Sequence, residues 1–262
     1  MSLDDELALA FRLADAARAE SMPRFRSELR SWRKSDGSIV TEADQAVEDA
    51  LRRVLAAERA DDAILGEERA ASGAGRRRWI IDPIDGTVAF AAGGPEWITL
   101  IALEIDGRIA VGVCDQPSFD RRYWAVAGGG AFIANGRSEP RRLRVSSAQE
   151  LSGARANVTA EQWLKDDRAR ARAAALAAVT TTATMNEHPA LQVASGGYDV
   201  CVFFTAGPWD LAAPAIVVEE AGGRFSDLDG GGTLTAGAVF SNGRVHDQTL
   251  TLLASAAEGI PR

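Results

Sequence analysis

Residues 79–87 read Trp79-Ile80-Ile81-Asp82-Pro83-Ile84-Asp85-Gly86-Thr87. A short apolar run rich in β-branched residues predicts a buried strand, and it ends at an aspartate followed by proline. The strand end is a rigid base, and Pro83 restricts the turn that leaves it. Asp82 and Asp85, three apart across that turn, can converge on one point, which the carbonyl of Ile84 can also face. Gly86-Thr87 adds backbone N–H groups and a hydroxyl. Hard oxygen donors gathered in this way suit Mg²⁺. Two such ions about 4 Å apart activate water and stabilise a leaving alkoxide.

Two further places pair acidic residues with unusual neighbours. Gly66-Glu67-Glu68 follows the apolar Ala63-Ile64-Leu65, and Trp209-Asp210 opens a predicted helix at 211–221. Each carboxylate also has a plainer role. Asp82 can cap a strand, Asp85-Gly86 is an ordinary turn, and Asp210 fits a helix N-cap. Asp44, three residues after Thr41, completes a capping-box-like pair. Glu67 can be a solvated loop residue. Taken singly, the plainer roles are the better reading; it is the rarity of D-P-I-D-G-T that favours a shared site.

Outward from this stretch, the N-terminal half predicts helices packed on an antiparallel sheet. Leu3, Leu7 and Phe11 mark a first helix that Pro23 interrupts, and Val47, Leu51 and Val54 mark a second that begins at Thr41. The polar residues 30–39 between them predict an exposed loop. Strands are expected at 98–105 and 108–113, joined by Asp106-Gly107, a strong hairpin signal, and then at 123–127 and 131–134 around Gly128-Gly129-Gly130. From about residue 141 the pattern becomes α/β. It has capping-box strings at 147–150 and 159–162, helices at 161–178, 188–196, 211–221 and 246–255, and strands at 179–184, 199–204, 224–227 and 238–241. Two closely packed domains are therefore expected, 1–140 with most of the acidic motifs and 141–262 with Asp210.

Composition limits the alternatives. The 262 residues are 46% hydrophobic and 25% charged, enough for a large core and incompatible with general disorder. No stretch is long and apolar enough to span a membrane, and no signal peptide is readable. The net charge of −8 disfavours nucleic acid as a partner. Cys114 and Cys201 are too few for a disulfide scaffold, and a cytoplasmic location fits them. His188 and His246 are the only histidines, too far apart in sequence to suggest zinc. His188 is expected at the surface or in a cap, and His246 as a structural residue. No nucleophile-elbow, Walker A or Rossmann string occurs.

The strings WIIDPIDGT (79–87), GEE (66–68), WDLAAPAIVVEEAGG (209–223) and KSDGSIVTEAD (34–44) resemble the inositol monophosphatase family in order and spacing, over nearly the whole chain. KSDGSIVTEADQAVEDALR, RRWIIDPIDGT, RRYWAVAGGGAF and VVEEAGGRFSDLDG look most like its bacterial histidinol-phosphatases. The resemblance implies a layered α-β-α-β-α sandwich, a homodimer, and hydrolysis of a small phosphorylated metabolite with two or three Mg²⁺ ions and a metal-activated water. By position, Glu67, Asp82 and the Ile84 carbonyl would hold one ion. Asp82, Asp85 and Asp210 would hold the second, with Glu67 reaching a weak third site through water. Asp44 and Thr87 would orient and activate the water. The backbone N–H groups of Gly86 and Thr87 would take the phosphate, Lys34 would close over the site from a mobile loop, and Glu68 would stand behind the ligands.

The chain departs from the family pattern where substrate alcohols are recognised. Thr184-Met185-Asn186-Glu187-His188-Pro189 replaces a Gly-rich or Gly-Asp element, with Asn186 facing substrate. Phe203 stands where many members have a glutamate that contacts hydroxyls or an amine, and Ala89 replaces the asparagine of D-G-T-x-N-F. An aromatic at 203 favours apolar contact. These departures set the specificity region apart from enzymes taking inositol phosphate or histidinol phosphate. The expected function is a Mg²⁺-dependent phosphatase of a phosphomonoester of either type. The alternatives are a sugar bisphosphatase, a nucleotide 3′-phosphatase, or a non-catalytic binding paralogue, the last opposed by the complete set Asp44, Glu67, Asp82, Asp85, Thr87 and Asp210.

Overall fold

A computed structural model describes residues 2–35, 37–159, 164–182, 187–235, 237–258 and 260. Two helices open the chain, α1 (Leu3–Ser21) and α2 (Glu42–Glu58). α1 starts with a reciprocal cap in which Ser2 Oγ accepts from the Asp5 N–H at 3.2 Å and the Asp5 carboxylate accepts from the Ser2 N–H at 3.0 Å. It stops at Ser21, just ahead of Pro23. Leu9, Leu13 and Ala17 of α1 and Val47, Leu51 and Leu55 of α2 are fully buried at four-residue spacing, the stripe a helix needs to pack on a sheet. Val54 lies at the edge of that stripe and is only partly buried.

The first sheet has seven strands in the order β3-β4-β5-β6-β7-β8-β9. These are β3 (Ala63–Gly66), β4 (Arg77–Asp85), β5 (Ile98–Ile105), β6 (Arg108–Gln116), β7 (Arg121–Val126), β8 (Gly130–Asn135) and β9 (Arg141–Arg142). β3 runs parallel to β4 and the other pairs are antiparallel. At the β5–β6 hairpin Asp106 and Gly107 have φ of 54° and 76°, the pair of left-handed residues that a primed turn requires.

The second sheet has five strands in the order β11-β10-β12-β14-β13. They are β10 (Arg155–Val158), β11 (Thr181–Thr182), β12 (Val200–Phe203), β13 (Arg224–Ser226) and β14 (Ala238–Ser241). Between and after them come α4 (Asp167–Val179), α5 (Pro189–Ala194), α6 (Pro208–Glu220) and α7 (His246–Ala256).

Strand alternation sorts the core into three apolar clusters and stacks the layers. Trp79, Ile81, Ile101, Leu103, Val111 and Val113 pack on α1 and α2. The opposite face, with Ile80, Leu100, Ala102, Cys114 and Tyr123, packs on α5 and α6. Those helices also cover Cys201 and Phe240 of the second sheet. Its far face, with Ala156, Val200, Val202 and Val239, packs on Ala173 and Leu176 of α4 and Leu253 of α7. The order is α-β-α-β-α, the layered sandwich that the resemblance implied. Among the described residues no helix is long and apolar enough to cross a membrane.

Close approach of α6 to the first sheet depends on Gly112, where a Cβ would lie 2.5 Å from Ile216 Cγ2 and 2.9 Å from the Ala213 carbonyl. Gly112→Ala is expected to destabilise the protein by about 1–3 kcal/mol, read as a lowered urea midpoint at constant m-value.

Several expectations are corrected. Residues 30–39 are not simply a loop: β1 (Ser31–Arg33) and β2 (Ile39–Thr41) pair antiparallel there. β1 is exposed along its whole length, so no apolar alternation announced it. β3 and β10 were not expected, because each is only four residues long and flanked by polar segments. The string at 147–150 opens no helix. The helix expected from 161 begins at Asp167, where Asp166 caps the Ala169 N–H at 2.7 Å. Thr159 instead donates its hydroxyl to the Val202 carbonyl at 3.0 Å. The segment 183–186, and with it Asn186, lies outside the described residues.

Candidate active site

β4 delivers the first carboxylates. Asp82 pairs with Leu100 of β5 and Asp85 with Ile98, so three steps on β4 match two on β5. That bulge at Pro83-Ile84 re-aims Asp85, because residues three apart on a regular strand face opposite sides. Asp82 Oδ1 accepts from the Ile84 N–H at 3.0 Å, and Thr99 Oγ1 donates to the Pro83 carbonyl at 2.8 Å. Gly86 then takes φ 89°, and a Cβ there would sit 2.6 Å from the Glu96 carbonyl, so only glycine fits between β4 and the short helix α3 (Thr87–Ala91).

Asp210 comes from α6. It is the third residue of that helix and not its N-cap, as the sequence suggested; its Oδ2 accepts from the N–H of the N-cap residue Gly207 at 2.7 Å. Asp44 holds the same place in α2: its Oδ2 accepts from the Thr41 N–H at 2.8 Å. Its other oxygen, Oδ1, lies 3.0 Å from Thr87 Oγ1, which is also 3.1 Å from the Ile84 carbonyl. In Asp44 one oxygen thus caps the helix while the other meets Thr87.

Carboxylate oxygens of Asp82, Asp85 and Asp210 all lie within 4.8 Å of one another. Burial pushes the Asp82 carboxyl well above the usual range, and the charges of Glu67, Asp85 and Asp210 push it further. Burial and then Asp210 and Glu67 push Asp85 up to about 8. Burial also raises Asp210, Glu67 and Asp44. A group of buried like charges is stable in its ionised form only with a cation among them. Three hard oxygen donors at this spacing fit Mg²⁺.

Glu67 follows β3 and holds an ion pair, with Lys34 Nζ 2.8 Å from Glu67 Oε1 and 2.7 Å from Glu68 Oε1. Burial alone would lower the lysine; the two carboxylates overcome it and hold Lys34 charged. Burial raises Glu68 to about 7, against the pull of Lys34. Glu48, which sequence reasoning missed, anchors this loop. It is fully buried, accepts from the Glu68 N–H at 2.7 Å and from Arg52 Nε at 2.7 Å, and fills the space where a side chain on Gly66 would stand. Its position four residues after Asp44, on the same helix face, was the available signal.

A cavity of about 340 Å³ opens beside Asp85 and Asp210. Phe203 lies in its wall and packs edge-on against His188 and Phe240, with ring centroids 5.7 and 5.6 Å apart. His188 is the N-cap residue of α5, one of the two roles expected of it, though without a side-chain capping bond, and it is buried and not at the surface. Its ring is buried in the wall with Nε2 3.5 Å from Asp85 Oδ2, and burial lowers its pKa to about 4. The structural role expected of His246 is met by its ring, which lies 2.9 Å from the hydroxyls of both Ser226 and Ser241.

Comparison with known proteins agrees with this architecture. A histidinol-phosphatase of Streptomyces coelicolor is 40% identical over 257 residues, covering 95% of this chain and 97% of its own. One from Mycobacterium tuberculosis is 41% identical over 254 residues, covering 95% and 98%. The solved structure of the extragenic suppressor protein suhB from Bartonella henselae superimposes with a TM-score of 0.85 at 25% identity, covering 98% of this chain and all of that one. Residues 3–261 match the inositol monophosphatase family. The chain is a member of that family and a phosphomonoesterase by class.

Proposed function

We propose that this enzyme is a Mg²⁺-dependent phosphatase of a small phosphomonoester, with histidinol phosphate as its substrate. The convergence of Asp82, Asp85 and Asp210 at the edge of one cavity carries the reading, and the names of the relatives at about 40% identity support the substrate. Asp82, Asp85, Asp210 and Glu67, with the Ile84 carbonyl, would hold the metal. Bound there, Mg²⁺ supplies Lewis-acid polarisation of the phosphoryl oxygens and lowers the pKa of water.

The protein groups have separate tasks. Thr87 Oγ1 holds the attacking water and passes its proton to Asp44 Oδ1, whose raised pKa suits it to accept. The water adds to phosphorus as the bond to the alcohol oxygen breaks on the opposite side. The backbone N–H groups of Gly86 and Thr87 would take the phosphate, the first of them now directed at the Asp85 carboxylate. Lys34, paired with Glu67 and Glu68, would close over the site.

The expected result is steady release of inorganic phosphate from histidinol phosphate in Mg²⁺ and none in EDTA, followed colorimetrically. Turnover that persists undiminished in EDTA would sink the metal-dependent reading.

A further inference from the structure

Among the described residues, four buried side-chain polar atoms have no hydrogen-bond partner, and three of them, Trp97 Nε1, Gln116 Oε1 and His188 Nδ1, belong to residues lining the cavity beside Asp85. Buried polar groups are almost always paired, so three such atoms around one cavity point to a ligand that pairs them. Their chemistry is specific. The Trp97 indole only donates and the Gln116 oxygen only accepts. His188 Nε2 faces the Asp85 carboxylate at 3.5 Å, which places the ring proton on Nε2 and leaves Nδ1 as an acceptor. Glu96, also in the lining, is exposed and makes no ion pair or hydrogen bond among the described residues.

Acceptors thus predominate, and none of the described residues lining the cavity is a lysine or arginine. Glu187 is already neutralised by Arg121, with further contacts to Gln192 and Tyr123. A second phosphate would find acidic groups and no cation, while a group that donates hydrogen bonds and carries positive charge would find both partners and field. Phe203 makes the remaining wall apolar.

We propose that this cavity recognises the alcohol half of the substrate by a protonated amine, and that Glu96, with Gln116, is the specificity-determining acceptor for it. Glu96 thereby supplies the carboxylate that position 203 lacks. The proposal rests on the phosphatase reading above and narrows it to amine-bearing monoesters, against bisphosphates.

The test compares kcat/KM for histidinol phosphate, its deaminated analogue imidazolylpropanol phosphate, and fructose 1,6-bisphosphate, all at saturating Mg²⁺, in wild type and Glu96→Gln. Wild type is expected to prefer the amine ester, with the bisphosphate poorest. Glu96→Gln is expected to shrink the preference for the amine about 10- to 100-fold, through KM. Glu96→Asp is expected to restore part of it. Histidinol alone, titrated calorimetrically, is expected to bind wild type and to lose most of its affinity in Glu96→Gln. A preference unchanged in Glu96→Gln, or a wild type indifferent to the amine, overturns this proposal and leaves the phosphatase standing. Absence of Mg²⁺-dependent turnover of all three esters overturns both.

Discussion

Asp85→Asn is expected to lower kcat/KM by on the order of 10³-fold or more, because a metal-binding carboxylate contributes several kcal/mol of transition-state stabilisation. The substitution keeps the shape of the side chain and removes its charge. Asp85 carries no helix cap, and its oxygens lie with those of Asp82 and Asp210 in a group whose ionised form a cation would stabilise. The fold is therefore expected to stay intact while the affinity for Mg²⁺, measured by calorimetry, falls. Turnover within tenfold of wild type would remove Asp85 from the centre of the chemistry. A binding paralogue would show no effect of this change on partner affinity, so the same variant separates enzyme from binding module.

Removing metal is expected to make stability fall with rising pH, and the sign follows from the carboxylates. A group whose pKa is higher in the folded than in the unfolded state contributes stability that is fully present below its unfolded value and is lost as pH passes its folded value. Burial and the neighbouring charges raise Asp85 from 3.8 to about 8 and Glu68 from 4.5 to about 7, and Asp82 and Asp210 shift the same way. Burial lowers His188 and His246 to about 4, so their contributions are lost only as pH falls below 6.5. Between pH 6.5 and 9 the carboxylates are thus left to dominate. In EDTA, the melting temperature is expected to drop across that window. Mg²⁺ at about 100 times its Kd is expected to raise it by about 5–10 °C, from a linkage of about 2.7 kcal/mol. In EDTA at pH 8, Asp85→Asn is expected to melt above wild type, since one of the repelling charges is gone. A melting temperature independent of both pH and Mg²⁺ would mean that the three carboxylates do not bear on one another.

What was legible in the sequence followed from periodicity and punctuation. The strand 98–105 and the Asp106-Gly107 turn read directly, because alternation and turn chemistry are local. The edge strand β3 and the inner strand β10 did not, since a four-residue segment carries too little pattern to separate it from a loop. The acidic motifs were visible, but the convergence of Asp82 and Asp85 depends on a bulge, which only the register with β5 reveals. Nor did local pattern disclose Glu48, Glu96 or Gln116, whose significance lies in what stands across from them. The N-cap place of His188 was legible, but its burial against Phe203, fifteen residues further on in the chain, was not.

Asp44 and Asp210 each give one oxygen to the first turn of a helix, a contribution to folding of about 1 kcal/mol. Asp85 gives none. In a descendant chain released from the need for turnover, the first two would stay tied to their helices, while the third would keep only its contacts with the Gly86 N–H and the His188 ring.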